Sequence, residues 1–127
     1  MVLSLINDER PIAKVLDDAI NANSKVTQKE IAEYAGLPKP NIIYMFKTGL
    51  TKVPLDKAGK IAYKLGLNER EFWFKCFKEY MPGAYSEYER VLGHPVLTAD
   101  EIELIKKLRA TKTNPKTISK SLTQTNP

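Results

Sequence analysis

Apolar residues recur along this chain at steps of three and four, and the breaks between runs fall at Pro, Gly and capping residues. That pattern predicts helices. Ile12, Val15, Leu16, Ala19 and Ile20 follow Pro11, a favourable first-turn residue, and predict a first helix. Residues 21–25 read as a loop. Thr27-Gln28-Lys29-Glu30 has the form of a capping box, in which the Thr27 hydroxyl accepts from the Glu30 amide and the Glu30 carboxylate reaches back. The apolar stripe Ile31, Ala32 and Ala35 follows, and Gly36 ends this second helix after about two turns. A third helix is predicted from near Lys39-Pro40 to about Lys47, with Ile42, Met45 and Phe46 facing inward and Thr48-Gly49 stopping it.

Pro54 opens a fourth helix carrying Leu55, Ala58, Ile61, Ala62 and Leu65, and Gly66 closes it. Asn68-Glu69-Arg70-Glu71 is a second capping box, leading into Phe72, Trp73, Cys76, Phe77 and Tyr80. Met81-Pro82-Gly83 reads as a break before a short sixth helix over residues 84–92, with Tyr85, Tyr88 and Val91 or Leu92 on one side. Gly93-His94-Pro95 breaks again. Thr98-Ala99-Asp100-Glu101, a third capping box, starts a seventh helix with Ile102, Ile105 and Leu108 behind it. No segment alternates as a strand would, so the expected class is all-α. After Ala110 the chain turns to Thr, Lys, Asn, Pro and Ser with isolated Ile118 and Leu122, too little apolar surface to offset ordering, and residues 111–127 are expected to be a disordered basic tail.

Charge sharpens this picture when it is divided along the chain. The formal net charge is +5, yet residues 1–24 carry −2 and residues 67–110 carry −1. Residues 25–66 hold eight lysines against Glu30, Glu33 and Asp56, and residues 111–127 hold Lys112, Lys116 and Lys120 with no acid. A localised positive segment suits a polyanionic partner, because neutralising phosphates supplies most nonspecific affinity; a solvated lysine face has the same composition.

Other classes fit poorly. One histidine, His94, and one cysteine, Cys76, stand 18 positions apart and offer neither a zinc site nor a nucleophile–base pair. The six glycines read as breaks between helices rather than as a phosphate loop. Glu87 and Glu89, two apart, point to different sides of a helix and make no carboxylate pair. The expectation is therefore no enzyme, no cofactor and no metal. No apolar run of about 18 residues exists to span a membrane, and MVLSLINDER turns acidic too soon for a secretory signal. A lone cysteine cannot form an internal disulfide, which fits a cytoplasmic protein. Cys76 itself reads as a small buried hydrophobe, and Phe72, Trp73, Phe77 and Tyr80 as core or interface.

The most informative constellation is two short helices joined by a turn of defined chemistry. Counting from Gln28, Ala32 is the fifth residue, Gly36 the ninth, Leu37 the tenth, Ile42 the fifteenth and Met45 the eighteenth. The fifth must be small where the second helix crosses, the ninth must accept a left-handed backbone, and the others must be apolar to lock the pair at a steep angle. All of these conditions are met together.

On these residues the chain resembles a known family. TQKEIAEYAGLPKPNIIYMFKTG followed by KVPLDKAGKIAYKLGL is similar to the Cro/lambda-repressor-like (XRE-type) helix-turn-helix domain, over roughly residues 10–80. MPGAYSEYERVLGHPVLTADEIELIKKLR resembles an extension found in a bacterial, often mobile-element-associated, branch of such regulators. The resemblance implies a five-helix lambda-repressor-like domain whose third helix enters the major groove of double-stranded DNA, followed by a helical extension over residues 81–110. The sequence departs from the family's commoner pattern at Pro38, where a capping serine is usual, and at Pro40.

By position, the resemblance implies base contacts from Lys39, Pro40, Asn41 and Tyr44, and phosphate contacts from Gln28, Lys47, Thr48, Thr51 and Lys52. Asn41 offers adenine a donor and an acceptor side by side; Lys39 suits guanine or a phosphate; Tyr44 suits a thymine methyl or a phosphate. One recognition helix reads few bases, so the expected protein is a homodimeric repressor on a palindromic operator, paired through residues 68–110. The rival reading is an antitoxin or partner-binding module that grips another protein through residues 81–110, with DNA binding secondary. A helical RNA-binding protein is a third, without a stacking-sheet motif to support it.

Overall fold

The structure, a computed structural model, describes residues 4–111, and among these every regular element is helical. After a 3-10 turn at Leu5–Asn7 come α1 (Ile12–Ala22), α2 (Gln28–Ala35), α3 (Asn41–Lys47), α4 (Leu55–Lys64), α5 (Glu69–Tyr80), α6 (Pro82–Leu92) and α7 (Ala99–Ala110). The tail expected to be disordered, residues 111–127, lies outside the described residues apart from Thr111.

Three boundaries differ from expectation. Residues 21 and 22 finish α1 instead of opening a loop, because the Asn23 amide still reaches the Ala19 and Ile20 carbonyls at 3.1 and 3.3 Å. The break before α6 is Met81 alone (φ −137°, ψ 62°); Pro82 opens the helix, where its missing amide hydrogen loses no bond. Conversely α3 starts later than expected, at Asn41, with Pro40 as its cap. Lys39 precedes a proline and is sterically discouraged from helical backbone. Nor do all glycines mark breaks: Gly59 lies within α4 and Gly83 in the first turn of α6, where packing and helix continuity outweigh glycine's weak helix preference.

The first compact unit runs through Val96. Its main core joins α1 to α5: Ile12, Val15 and Leu16; Ile31, Ala32 and Ala35; Ile43 and Phe46; Ala58, Ile61, Ala62 and Leu65; Phe72 and Cys76. Here α3 corrects the expected register. Ile43 and Phe46 are its buried residues, while Ile42 and Met45 are only partly buried. Both α1 and α2 pack on α3, so its covered face is wider than a two-helix contact would give and is turned toward Ile43. Cys76 is fully buried, and burial pushes its thiol up to about 12.

A smaller cluster of Ile6, Tyr85 and Val96, with Phe74 and Phe77 against it, fastens α6 and the N-terminal segment to α5. The sequence pattern assigned that segment no element and no packing role. One face of α5 holds it at intervals of four residues: Ser4 donates to the Glu71 carboxylate, the Lys75 ammonium donates to the Asp8 carbonyl at 2.6 Å, and Glu79 accepts from the first amide of α1, Ile12, at 2.8 Å. The second unit starts at Leu97 and contains α7, whose Thr98 and Glu101 complete a reciprocal capping box and which buries none of its residues.

Candidate nucleic-acid interface

The turn between α2 and α3 is built from its first residues. Thr27 caps α2 by accepting from the Glu30 amide at 3.1 Å. At the other end Gly36 adopts φ 72°, ψ 33°, a left-handed conformation that a side chain would strain. It lets the Gly36 amide reach Glu33 O at 3.1 Å and the Leu37 amide reach Ala32 O at 2.8 Å, closing the helix in a Schellman turn. The same paired closure ends α3 at Gly49 and α4 at Gly66.

With Ile43 and Phe46 buried, the opposite face of α3 is fixed. Asn41, Tyr44 and Thr48 fall at i, i+3 and i+7, on one exposed stripe, and Lys39 and Pro40 are exposed just ahead of it. All four residues expected to meet bases are therefore solvent-accessible and contiguous around the first turn of α3. Between Glu33 and Asp56 the chain carries Lys39, Lys47 and Lys52 and no carboxylate side chain.

The residues expected to hold phosphates are less uniform. Gln28 is half-buried in the first turn of α2, where unpaired amides favour an anion. Thr48 is exposed, but its hydroxyl donates to the Tyr44 carbonyl at 2.8 Å, so its proton serves the end of α3. Thr51 is half-buried, and its amide donates to Met45 O at 3.3 Å. Lys52 is exposed, its ammonium 5.6 Å from the centre of the Tyr80 ring. Lys47 turns back toward α1, with its ammonium 3.7 Å from Asp17.

Tyr80 was missed as a site residue. Its hydroxyl accepts from the buried Val53 amide at 3.0 Å and so pins the loop after α3 to the end of α5. Burial raises this phenol to about 12, against the opposing pull of that amide. Trp73 does the same for the next turn, donating from Nε1 to Leu55 O at 2.7 Å. The sequence marks both only as members of an aromatic run; nothing local announces a bond to a residue 27 or 18 positions away.

Among the described residues no helix is long and apolar enough to cross a membrane, and no cluster of His, Cys, Asp and Glu could hold a metal ion. His94 is exposed in its turn, with Nδ1 2.7 Å from Pro95 O. Comparison of the chain with family models, with curated proteins and with solved structures finds no match.

Proposed function

We propose that this protein is a sequence-specific double-stranded DNA-binding regulator of the helix-turn-helix type, with α1–α5 as a lambda-repressor-like domain and α3 as the helix that enters the major groove. One observation carries the reading: α2 and α3, locked by Gly36 and by buried Ile31, Ala32, Ile43 and Phe46, leave Lys39, Pro40, Asn41 and Tyr44 exposed together within an acid-free stretch. Asn41 and Lys39 have the chemistry to read purine edges. Gln28, Lys52 and the loop at Thr48 and Thr51 are suited to hold the backbone and set register.

The regulator acts as a homodimeric repressor, because a single short helix cannot supply genomic specificity. Residues 68–110 are the proposed dimer region. On α6, Tyr88, Val91 and Leu92 remain exposed, while the surrounding charges are of both signs and permit close approach. The same exposed residues favour the second reading, a partner protein gripped through residues 81–110.

Selection of bound sites from random duplexes with the purified chain tests the DNA reading. The expected result is enrichment of a two-fold symmetric site, with binding that weakens steeply as salt rises. Loss of all enrichment at low and moderate salt would refute it. Light scattering of the chain alone then separates the two readings of residues 81–110: a dimer supports self-pairing, and a monomer that forms a one-to-one complex with another protein supports the alternative.

A further inference from the structure

Lys47 stands in the last turn of α3, where an extended side chain would reach outward, yet only 19% of its side chain is exposed. Its ammonium lies 3.7 Å from Oδ1 of Asp17 on α1 and 5.7 Å from the centre of the Tyr44 ring, one turn back on α3. Tyr44 itself is 52% exposed. The cation therefore bridges a residue of the supporting helix and the most prominent aromatic ring of the recognition face.

We propose that Asp17 and Lys47 are a positioning pair for the Tyr44 ring, so that Lys47 governs sequence preference instead of contacting a phosphate. This rests on reading α3 as the helix that meets base edges. A lysine beside a carboxylate is a locally neutral pair, and its attraction for a phosphate beyond the pair is largely cancelled. A cation within about 6 Å of a ring face, by contrast, favours the rotamer that keeps the ring beneath it. Packing of α1 on α3 sets the distance between the two partners. Asp18, the next residue of α1, is engaged by Arg10 at 2.7 Å and Lys14 at 2.9 Å, so the adjacent carboxylate does not compete for Lys47. A pair at 3.7 Å with its carboxylate partner 37% exposed adds little to stability. The pair therefore acts by orienting a ring before DNA arrives, which lowers the ordering required on binding.

The test uses the full chain and two independent readouts. In the free protein, Lys47→Ala and Asp17→Asn should both shift the Tyr44 ring proton resonances, and Lys47→Arg should leave them near their original positions. On the selected duplex and on duplexes altered one base pair at a time, Lys47→Ala should reduce the preference at one pair by about fivefold or more. The slope of log affinity against log salt should stay unchanged, and Lys47→Arg should retain the preference. Ring resonances unmoved in both Lys47→Ala and Asp17→Asn would overturn the pairing whether or not DNA binds. A salt slope lowered by about one unit with intact preference would make Lys47 a phosphate contact and overturn the specificity role. A wild-type chain that binds no duplex would sink the functional reading and that role together, while the ring signals would still decide whether the pair holds Tyr44.

Discussion

Asp8 illustrates how much a single side chain can be altered by its neighbours. The Arg10 guanidinium donates to it at 3.1 and 2.6 Å and the Arg10 amide at 2.9 Å, which together hold its carboxyl down at about 2 from an ordinary 3.8. A depressed carboxylate contributes stability that is present above its unfolded value and is lost as pH falls through its folded value. Asp8 therefore adds stability above about pH 4 that disappears between about pH 4 and 2. Arg10 is 42% exposed, so solvent screening limits the gain to less than about 1 kcal/mol. Asp8→Asn should lower the denaturation midpoint slightly at neutral pH and flatten its decline over that acid window. Equal acid slopes in the two proteins would show that the pair does not form in solution.

At the scale of the element, α3 carries the decisive register. Ile43 is 1% exposed among α1 and α2 residues, whereas Met45 is only partly buried. Ile43→Ala should cost about 2–5 kcal/mol in urea unfolding and Met45→Ala distinctly less. The reverse order would mean that α3 sits one residue round from this register. The loop that follows depends on Tyr80. Tyr80→Phe leaves the Val53 amide buried without its acceptor, at a cost of about 1–3 kcal/mol. The variant should bind DNA more weakly while preferring the same site, since the loop is proposed to touch backbone and not bases. A changed preferred site would assign the loop to base reading.

Across the whole molecule, the segment over residues 4–9 packs as part of the first unit. Its Ile6 is buried against Tyr85 and Val96, and its Asp8 carbonyl accepts from nearly buried Lys75, whose ammonium burial disfavours. Deleting residues 1–9 removes the cover from this seam and should lower stability by about 2 kcal/mol or more, from lost Ile6 burial and the lost bond to Lys75. An unchanged urea midpoint would show the segment to be dispensable.

What the sequence determined by itself was local. Periodicity and caps fix where helices form, because a run such as Ile31, Ala32, Ala35 before Gly36 settles its backbone hydrogen bonds, and which face must be buried, within a few residues. The candidate stripe Asn41 and Tyr44 was legible for the same reason, as the polar remainder of a helix with an apolar side. Only the tertiary structure decided which apolar residue of α3 is central, since that depends on α1 arriving as a second neighbour. It likewise decided that Lys47 faces Asp17, that Tyr80 holds Val53, and that α5 binds the N-terminal segment at Ser4, Asp8 and Ile12. Each of these joins residues far apart in the chain. Such pairings arise from the way helices pack, and local side-chain chemistry leaves no mark of them.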